Sequence, residues 1–398
     1  MNWFLRIKQA GGKRRWGYLL GTVILFFTGL LACIAIVPAV FPSTGAQIAD
    51  LIRATSGPQV AADIETVSFR IQDIVQQILS TYNGGKTQIT LSQPTASRHV
   101  TRRLRQVVVV KDKISQGPAI PAPTNVVTAG PQIGWQAYGP AVNGSPVMAQ
   151  ALLTLDPQRP YAGIALVRID LSKLQLHMMP GFLEPSHTQS VVNAIPNIGQ
   201  TPAADLKILV AAFNGGFKAI NGQYGMMVDG VTLLPPIPGI ATVAIYQDGS
   251  VRIGAWGQDI LPSANLVAFR QNCPLVLQNG QLNPQVSIDN RMVWGQTIGN
   301  QEITWRTGLG ITQDGRYLIY AVGNATTTQT LAQSLQIAGA YNAMQLDINR
   351  HYAHFVTYRA AGGSDNSLQA VQLLNQMEND PTIYLVAHSR DYFYLTTR

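Results

Sequence analysis

The chain has 398 residues, 46% hydrophobic and only 12% charged, which allows one large or two modest domains and excludes a disordered polyampholyte. Its net charge of +8 lies outside the C-terminal part: residues 1–15 and 98–113 each carry +5, whereas from residue 147 onward 14 basic groups face 15 acidic ones. A folded part without excess positive charge argues against a nucleic-acid partner, and two cysteines, Cys33 and Cys273, fall short of a structural zinc site and predict no intrachain disulfide.

The first element is the charge-free run 16–41, Trp16 to Phe41, which follows the basic tail 1–15. About 20 apolar residues suffice to cross a bilayer. The positive-inside rule then places residues 1–15 in the cytoplasm and the bulk of the chain outside it, as a single-pass membrane protein. A cleaved signal peptide is the rival reading, and it too exports the rest. The stalk, 42–114, holds a helix over 58–82 whose apolar positions Val60, Ile64, Val67, Ile71, Ile74 and Ile78 form a narrow heptad seam. The 60–78 seam leaves two readings open, a helix packed on the domain or a homo-oligomerising stalk. Residues 115–146 hold six prolines and five glycines and read as a linker.

From 147 to 398 short β-rich runs dominate, at 147–155, 161–170, 174–179, 208–213, 242–246, 251–255 and 318–321. Asp229-Gly230, Asp248-Gly249 and Asp314-Gly315 mark tight turns. A helix is predicted over 328–338, capped by Thr328 and ended by Gly339, and a last one over 367–377. The expected fold is α+β: a mixed, largely antiparallel sheet with a few packed helices, preceded by the transmembrane helix and stalk.

Three clusters carry chemistry. Asn214-Gly215-Gly216-Phe217-Lys218 ends a hydrophobic strand with a carboxamide and two permissive glycines. Arg306-Thr307-Gly308-Leu309-Gly310-Ile311 places a guanidinium at a strand edge, suited to phosphate or to a structural carboxylate. In the third, 343–351, strand alternation puts Gln345, Asp347 and Asn349 on one face, followed by a turn at 350–353 and a return strand that would complete a hairpin. His351 and His354 leave a divalent metal open without specifying one; no cofactor is implied.

Taken in this order, with Val167–Leu171 before them and a Thr-led helix ending in Gly339-Ala340 between the last two, these clusters resemble the phosphodiester glycosidase family over about 165–360. The family's usual Gly-Gly-Gly-Ser after Leu-Asp is here Ile348-Asn349-Arg350-His351, which implies a reshaped pocket. The resemblance implies hydrolysis of a sugar-1-phosphodiester, with a sugar-phosphate or envelope glycan as substrate. It assigns Asp347 to the reacting carbon, Arg306 to the phosphate and His351 to proton donation. Asn214, Gly215, Gly216, Lys218, Asn349 and Gln345 would bind substrate, with Asp229 and Glu302 as reserve carboxylates. A phosphoglycan-binding protein of the same fold, without activity, is the alternative.

Overall fold

The computed structural model describes residues 133–398, except 187, 196–197, 288–290, 296–302 and 361–367, together with 55, 73–74, 77–82, 84, 87–92, 100–103 and 106–109. The expected anchor at 16–41, most of the 60–78 seam and Glu302 lie outside these residues. Among the described residues no helix is long and apolar enough to cross a membrane.

The strands are β1 (Val100–Arg103), β2 (Gln106–Val109), β3 (Gln136–Val142), β4 (Ser145–Leu153), β5 (Ile164–Asp170), β6 (Leu174–Met179) and β7 (Leu209–Asn214). They continue with β8 (Met226–Val228), β9 (Val231–Leu234), β10 (Ala241–Tyr246), β11 (Val251–Ala255), β12 (Leu266–Gln271), β13 (Leu275–Gln278) and β14 (Gln281–Leu282). The last are β15 (Thr304–Ile311), β16 (Tyr317–Thr326), β17 (Asn342–Gln345), β18 (Phe355–Ala360), β19 (Leu368–Gln372) and β20 (Tyr392–Thr397). Among the described residues from 133 onward, three short α-helices accompany them: α1 (Gln189–Ala194), α2 (Arg291–Trp294) and α3 (Thr328–Ile337).

The strands form three sheets, ordered β14-β13-β17-β15-β16-β5-β4-β3, β2-β1-β19-β18-β7-β20-β6 and β11-β10-β12-β8-β9. Neighbouring strands run antiparallel, as in β15 against β16 and β7 against β20. The fold is thus mostly antiparallel sheet with few helices.

The first two sheets pack face to face. Phe213 of one stacks on Phe355 and Phe393, and Phe213 and Phe355 lie tilted against Tyr320 of the other, with ring centroids 5.0–5.6 Å apart. Each such pair adds about 0.5–1.5 kcal/mol beyond its area burial. The near-continuous apolar run of β5 follows from its two covered faces: Val167 and Ile169 join this core, while Ile164 and Leu166 join the layer under α3. Leu331 and Leu335 of α3 rest where Gly308 and Gly310 of β15 leave no side chain; a Cβ on Gly308 would stand 3.1 Å from a Leu335 methyl. The Thr327 hydroxyl, rather than that of Thr328 expected from sequence, caps α3 by accepting from the Thr330 amide at 3.0 Å, because Thr328 is already the first helical residue.

Three expectations change. The segment 115–146 is not wholly linker, because its last part is β3, an edge strand. Proline is tolerated there since an edge strand has an unpaired side, and the ladder slips between Tyr138 and Ala141 around Gly139-Pro140. The expected helix over 367–377 is instead strand β19, which pairs with β18 and β1. Its apolar spacing suits either element, and the non-local ladder decides. Finally, β17 and β18 are not a hairpin: β17 pairs with β13 and β15, β18 with β7 and β19. The chain between them crosses from one sheet to the other.

Part of the stalk is docked on this body. Ile89 is fully buried, Ser92 donates to the Leu373 carbonyl, and Asp73 accepts from Arg159 and Tyr161.

Candidate active site

Strand β7 is buried along its whole length and flanked by β18 and β20, so its C-terminal end is held from both sides. There the Asn214 carboxamide donates to the Gly215 carbonyl at 3.0 Å and to the Thr307 hydroxyl at 2.9 Å. Its oxygen accepts from the Tyr320 hydroxyl at 2.8 Å and the His354 amide at 3.3 Å. Asn214 thus ties the facing sheets together at one end of the sandwich.

The following glycine permits a close approach. A Cβ on Gly215 would stand 1.9 Å from the Asp391 carboxylate. The Gly215 amide donates to the Asp391 carbonyl and the Gly216 amide to its Oδ2, both at 3.1 Å. These two amides, expected to orient substrate oxygens, are therefore committed to Asp391. Asp391 also receives Arg270 Nε at 2.9 Å, and Arg270 spends its remaining donors on the carbonyls of Phe217, Gln271 and Tyr224. This ion pair is almost wholly buried.

Asp347 lies on the crossover between β17 and β18. Its amide donates to the Gly215 carbonyl at 3.2 Å, and its carbonyl accepts from the Thr307 amide and hydroxyl at 3.1 and 2.6 Å. Its carboxylate accepts from the Asn349 amide through Oδ1 at 2.9 Å and from Arg390 Nη2 through Oδ2 at 2.7 Å. Backbone and side chain are both fixed, so the carboxylate is preorganised.

Arg390 is held on three sides. Beyond Asp347, its Nη2 donates to the Gly216 carbonyl at 2.9 Å, and its guanidinium lies 4.3 Å from the centre of the Tyr352 ring. Its buried Nε has no hydrogen-bond partner. Burial opposes its charge, but Asp347, Asp391 and Tyr352 outweigh that and raise its pKa. Asn214, Gly215, Gly216, Asp347, Tyr352 and Arg390 line a small pocket that Asn379, Tyr384, His388 and Asp391 complete. His388 Nδ1 donates to the Arg390 carbonyl at 2.8 Å, which leaves Nε2 as the ring's acceptor. Burial first, and then the Arg390 charge, hold the His388 pKa below its ordinary value, so its ring is neutral at neutral pH.

The other expected residues lie elsewhere or serve the frame. Arg306 is fully buried, with Nη1 2.6 Å from Gln345 Oε1 and Nε donating to the Thr326 carbonyl. Strand alternation puts it with Gly308 on the α3 side of the sheet, and it does not line the pocket. Gln345 shares that face, donating to the Trp294 carbonyl at 2.9 Å. Asn349 orders the crossover through its amide to Asp347 and its side chain to the His351 amide. His351 is half-buried beside Tyr352, and its pKa is lowered by burial and by Arg390 against the opposing pull of Asp347. A neutral ring suits a proton acceptor better than the donor expected from sequence. Lys218 is half-buried just beyond Phe217, and Asp229 is exposed in the β8–β9 turn, away from the pocket. Among the described residues no three His, Cys, Asp or Glu side chains are grouped to hold a metal ion.

Sequence reasoning missed the segment His388-Ser389-Arg390-Asp391. A visible signal existed: a run of polar and charged residues placed directly before the apolar strand β20.

Residues 207–347 match the phosphodiester glycosidase family. That phosphodiester glycosidase segment contains Asn214, Gly215 and Gly216 and ends on Asp347; Arg390 and Asp391 lie beyond it. No curated protein matches the chain. Among solved structures, the chain is similar to the zebrafish N-acetylglucosamine-1-phosphodiester alpha-N-acetylglucosaminidase catalytic domain auto-inhibited by its pro-peptide. There the identity is 18% over 67% of this chain and 88% of that one, with a TM-score of 0.43. A hypothetical protein from Synechocystis matches at 11% identity over 78% of this chain and 72% of that one, with a TM-score of 0.40.

Proposed function

We propose that the chain is a membrane-anchored hydrolase acting outside the cytoplasm, which cleaves the bond between a sugar's anomeric carbon and the phosphate of a sugar-1-phosphodiester in an envelope glycan or glycoconjugate. The observation that carries this reading is the preorganised Asp347 at the pocket, its backbone carbonyl held by Thr307 and its carboxylate by the Asn349 amide and Arg390. In the reaction the C1–O bond breaks, the phosphate leaves as a monoester, and water supplies the new hydroxyl on C1. The transition state carries positive charge on the sugar ring, which a fixed carboxylate stabilises or traps. Arg390, with Nε unspent, neutralises the leaving phosphate in place of the guanidinium first expected at Arg306. Phosphate leaves readily, so a neutral His388 serves as proton acceptor for the incoming water rather than as acid.

The test is incubation of the full chain with N-acetylglucosamine 1-phosphate methyl diester, scoring free sugar and methyl phosphate. Equimolar appearance of both supports the reading. Saturable binding without either product would favour a phosphoglycan-binding protein.

A further inference from the structure

The stalk residues 87–92 form a strap fitted into the body. Ile89 is fully buried in the main core. The Gln88 amide and the Thr87 hydroxyl both donate to the Tyr161 carbonyl, at 3.0 and 3.2 Å. Gly163 meets the strap without a side chain: a Cβ there would stand 2.7 Å from Ile89 Cγ1 and 2.7 Å from Thr87 Oγ1. So close a fit marks an integral part of the fold rather than a tether lying on it.

The strap also meets the segment that follows β19. Leu91 and Leu374 form an antiparallel bridge. The Ser92 amide donates to the Leu373 carbonyl and its hydroxyl to Asn375 Oδ1, both at 2.9 Å. The Thr90 amide donates to Gln376 Oε1 at 3.1 Å, and the Asn375 amide donates to the Thr90 carbonyl at 3.3 Å. Residues 373–379 belong to no strand, so these bonds stand in for a sheet neighbour.

That segment ends at the pocket residue Asn379. The Asn379 carboxamide donates to the His351 carbonyl, and Glu378 pairs with Arg350 at 2.5 Å. His351 and Arg350 both lie on the crossover that carries Asp347 and Tyr352. A run of contacts thus leads from the strap, through 373–379, to the reacting carboxylate. A displacement of about 1 Å at such a group costs on the order of 10²-fold in rate.

We propose that the docked strap is part of the catalytic scaffold: Ile89 and its neighbours are positioning residues that hold 373–379 in place, so that Asn379 and Glu378 set the crossover bearing Asp347. This rests on the hydrolase reading and extends it to residues far outside the 207–347 family segment. The placement of Asp347 matters most in the transition state, so undocking the strap lowers kcat more than it raises KM.

The experiment is a double-mutant cycle on the full chain, Ile89→Ser against Asn379→Ala, with N-acetylglucosamine 1-phosphate methyl diester, assayed well below the melting temperature of every variant. Each substitution alone is expected to cut kcat at least about tenfold, and the two together no more than about twofold further. Wild-type kcat in Ile89→Ser overturns the inference and leaves the hydrolase reading intact. So does an equal fractional loss with and without Asn379, which marks a general loosening of the fold. Gly163→Ala pushes on the strap from the body side and takes the place of Ile89→Ser where that chain does not fold. If the wild-type chain turns over no diester, the hydrolase reading fails, and amide hydrogen exchange alone decides the positioning. The Tyr352 and Ala353 amides, both bonded to the Asn349 carbonyl, must then exchange at least about tenfold faster in the strap variant while those of β15 and β16 do not change. Unchanged exchange at these two amides overturns the inference.

Discussion

Arg390 Nη2 lies 2.7 Å from Asp347 Oδ2, joining the last strand's approach to the crossover that carries the carboxylate, 43 residues apart in sequence. The pair is nearly buried, its two side chains 6% and 7% exposed. Removing one partner of such a pair leaves the other charge uncompensated, at about 3–5 kcal/mol. Arg390→Ala is therefore expected to lower the urea midpoint and to cut kcat/KM. Arg390→Lys can keep the charge and the two contacts that Nη2 makes to Asp347 and Gly216, but not the unspent Nε of the planar fork, so it recovers stability more than turnover. Equal recovery of both would argue against a role for the fork in the reaction.

Asn214→Ala removes a strut rather than a substrate ligand. It leaves the Thr307 hydroxyl, the Tyr320 hydroxyl and the His354 amide short of a partner in a dry interior, at a cost of about 2–3 kcal/mol. Chemical denaturation measures it directly, and Asn214→Asp, which keeps only the acceptor, should recover part of the loss.

Gly215→Ala places a methyl where the Asp391 carboxylate stands. No rotamer change in the alanine relieves the clash, so the 388–391 segment must move and take Arg390 with it. Turnover is expected to fall at least about tenfold, with thermal stability also reduced. A fully active Gly215→Ala chain would contradict the position given to Asp391.

Acid sensitivity should trace to His354. Burial is the main cause of its pKa falling from 6.5 to about 3, and Gln372 Nε2 lies 2.9 Å from its Nε2, which accepts that bond when neutral. Below 6.5 the unfolded chain binds a proton that the folded chain refuses, so unfolding is favoured as pH falls. Stability is complete above about 6.5 and declines down to about 3, by an amount on the order of 5 kcal/mol from this group. His354→Gln should flatten that part of the stability–pH curve, read as the urea midpoint at pH 7 and pH 4.

Legibility of the fold followed locality. β6 and β11 were readable because their alternation matches their burial, and α3 because its cap and period agree. β3 and β19 were not, since their strand state is set by distant partners and their own composition points to linker or helix. The site divides the same way. Asn214 and Asp347 announce themselves as polar residues at the ends of apolar strands. Arg306 does too, yet it serves Gln345 and Thr326. Arg390 and Asp391 reach the pocket only through pairings spanning 43 and 121 residues, which no local pattern encodes.

The central claim is that Asp347 stabilises charge at a sugar's anomeric carbon, and Asp347→Asn tests it most directly. The asparagine keeps the shape of the side chain and its bond from the Asn349 amide. With N-acetylglucosamine 1-phosphate methyl diester, assayed well below the variant's melting temperature, which falls because Arg390 loses its buried partner, kcat is expected to drop by about 10²–10³ or more. Undiminished kcat in a folded Asp347→Asn chain would contradict the account.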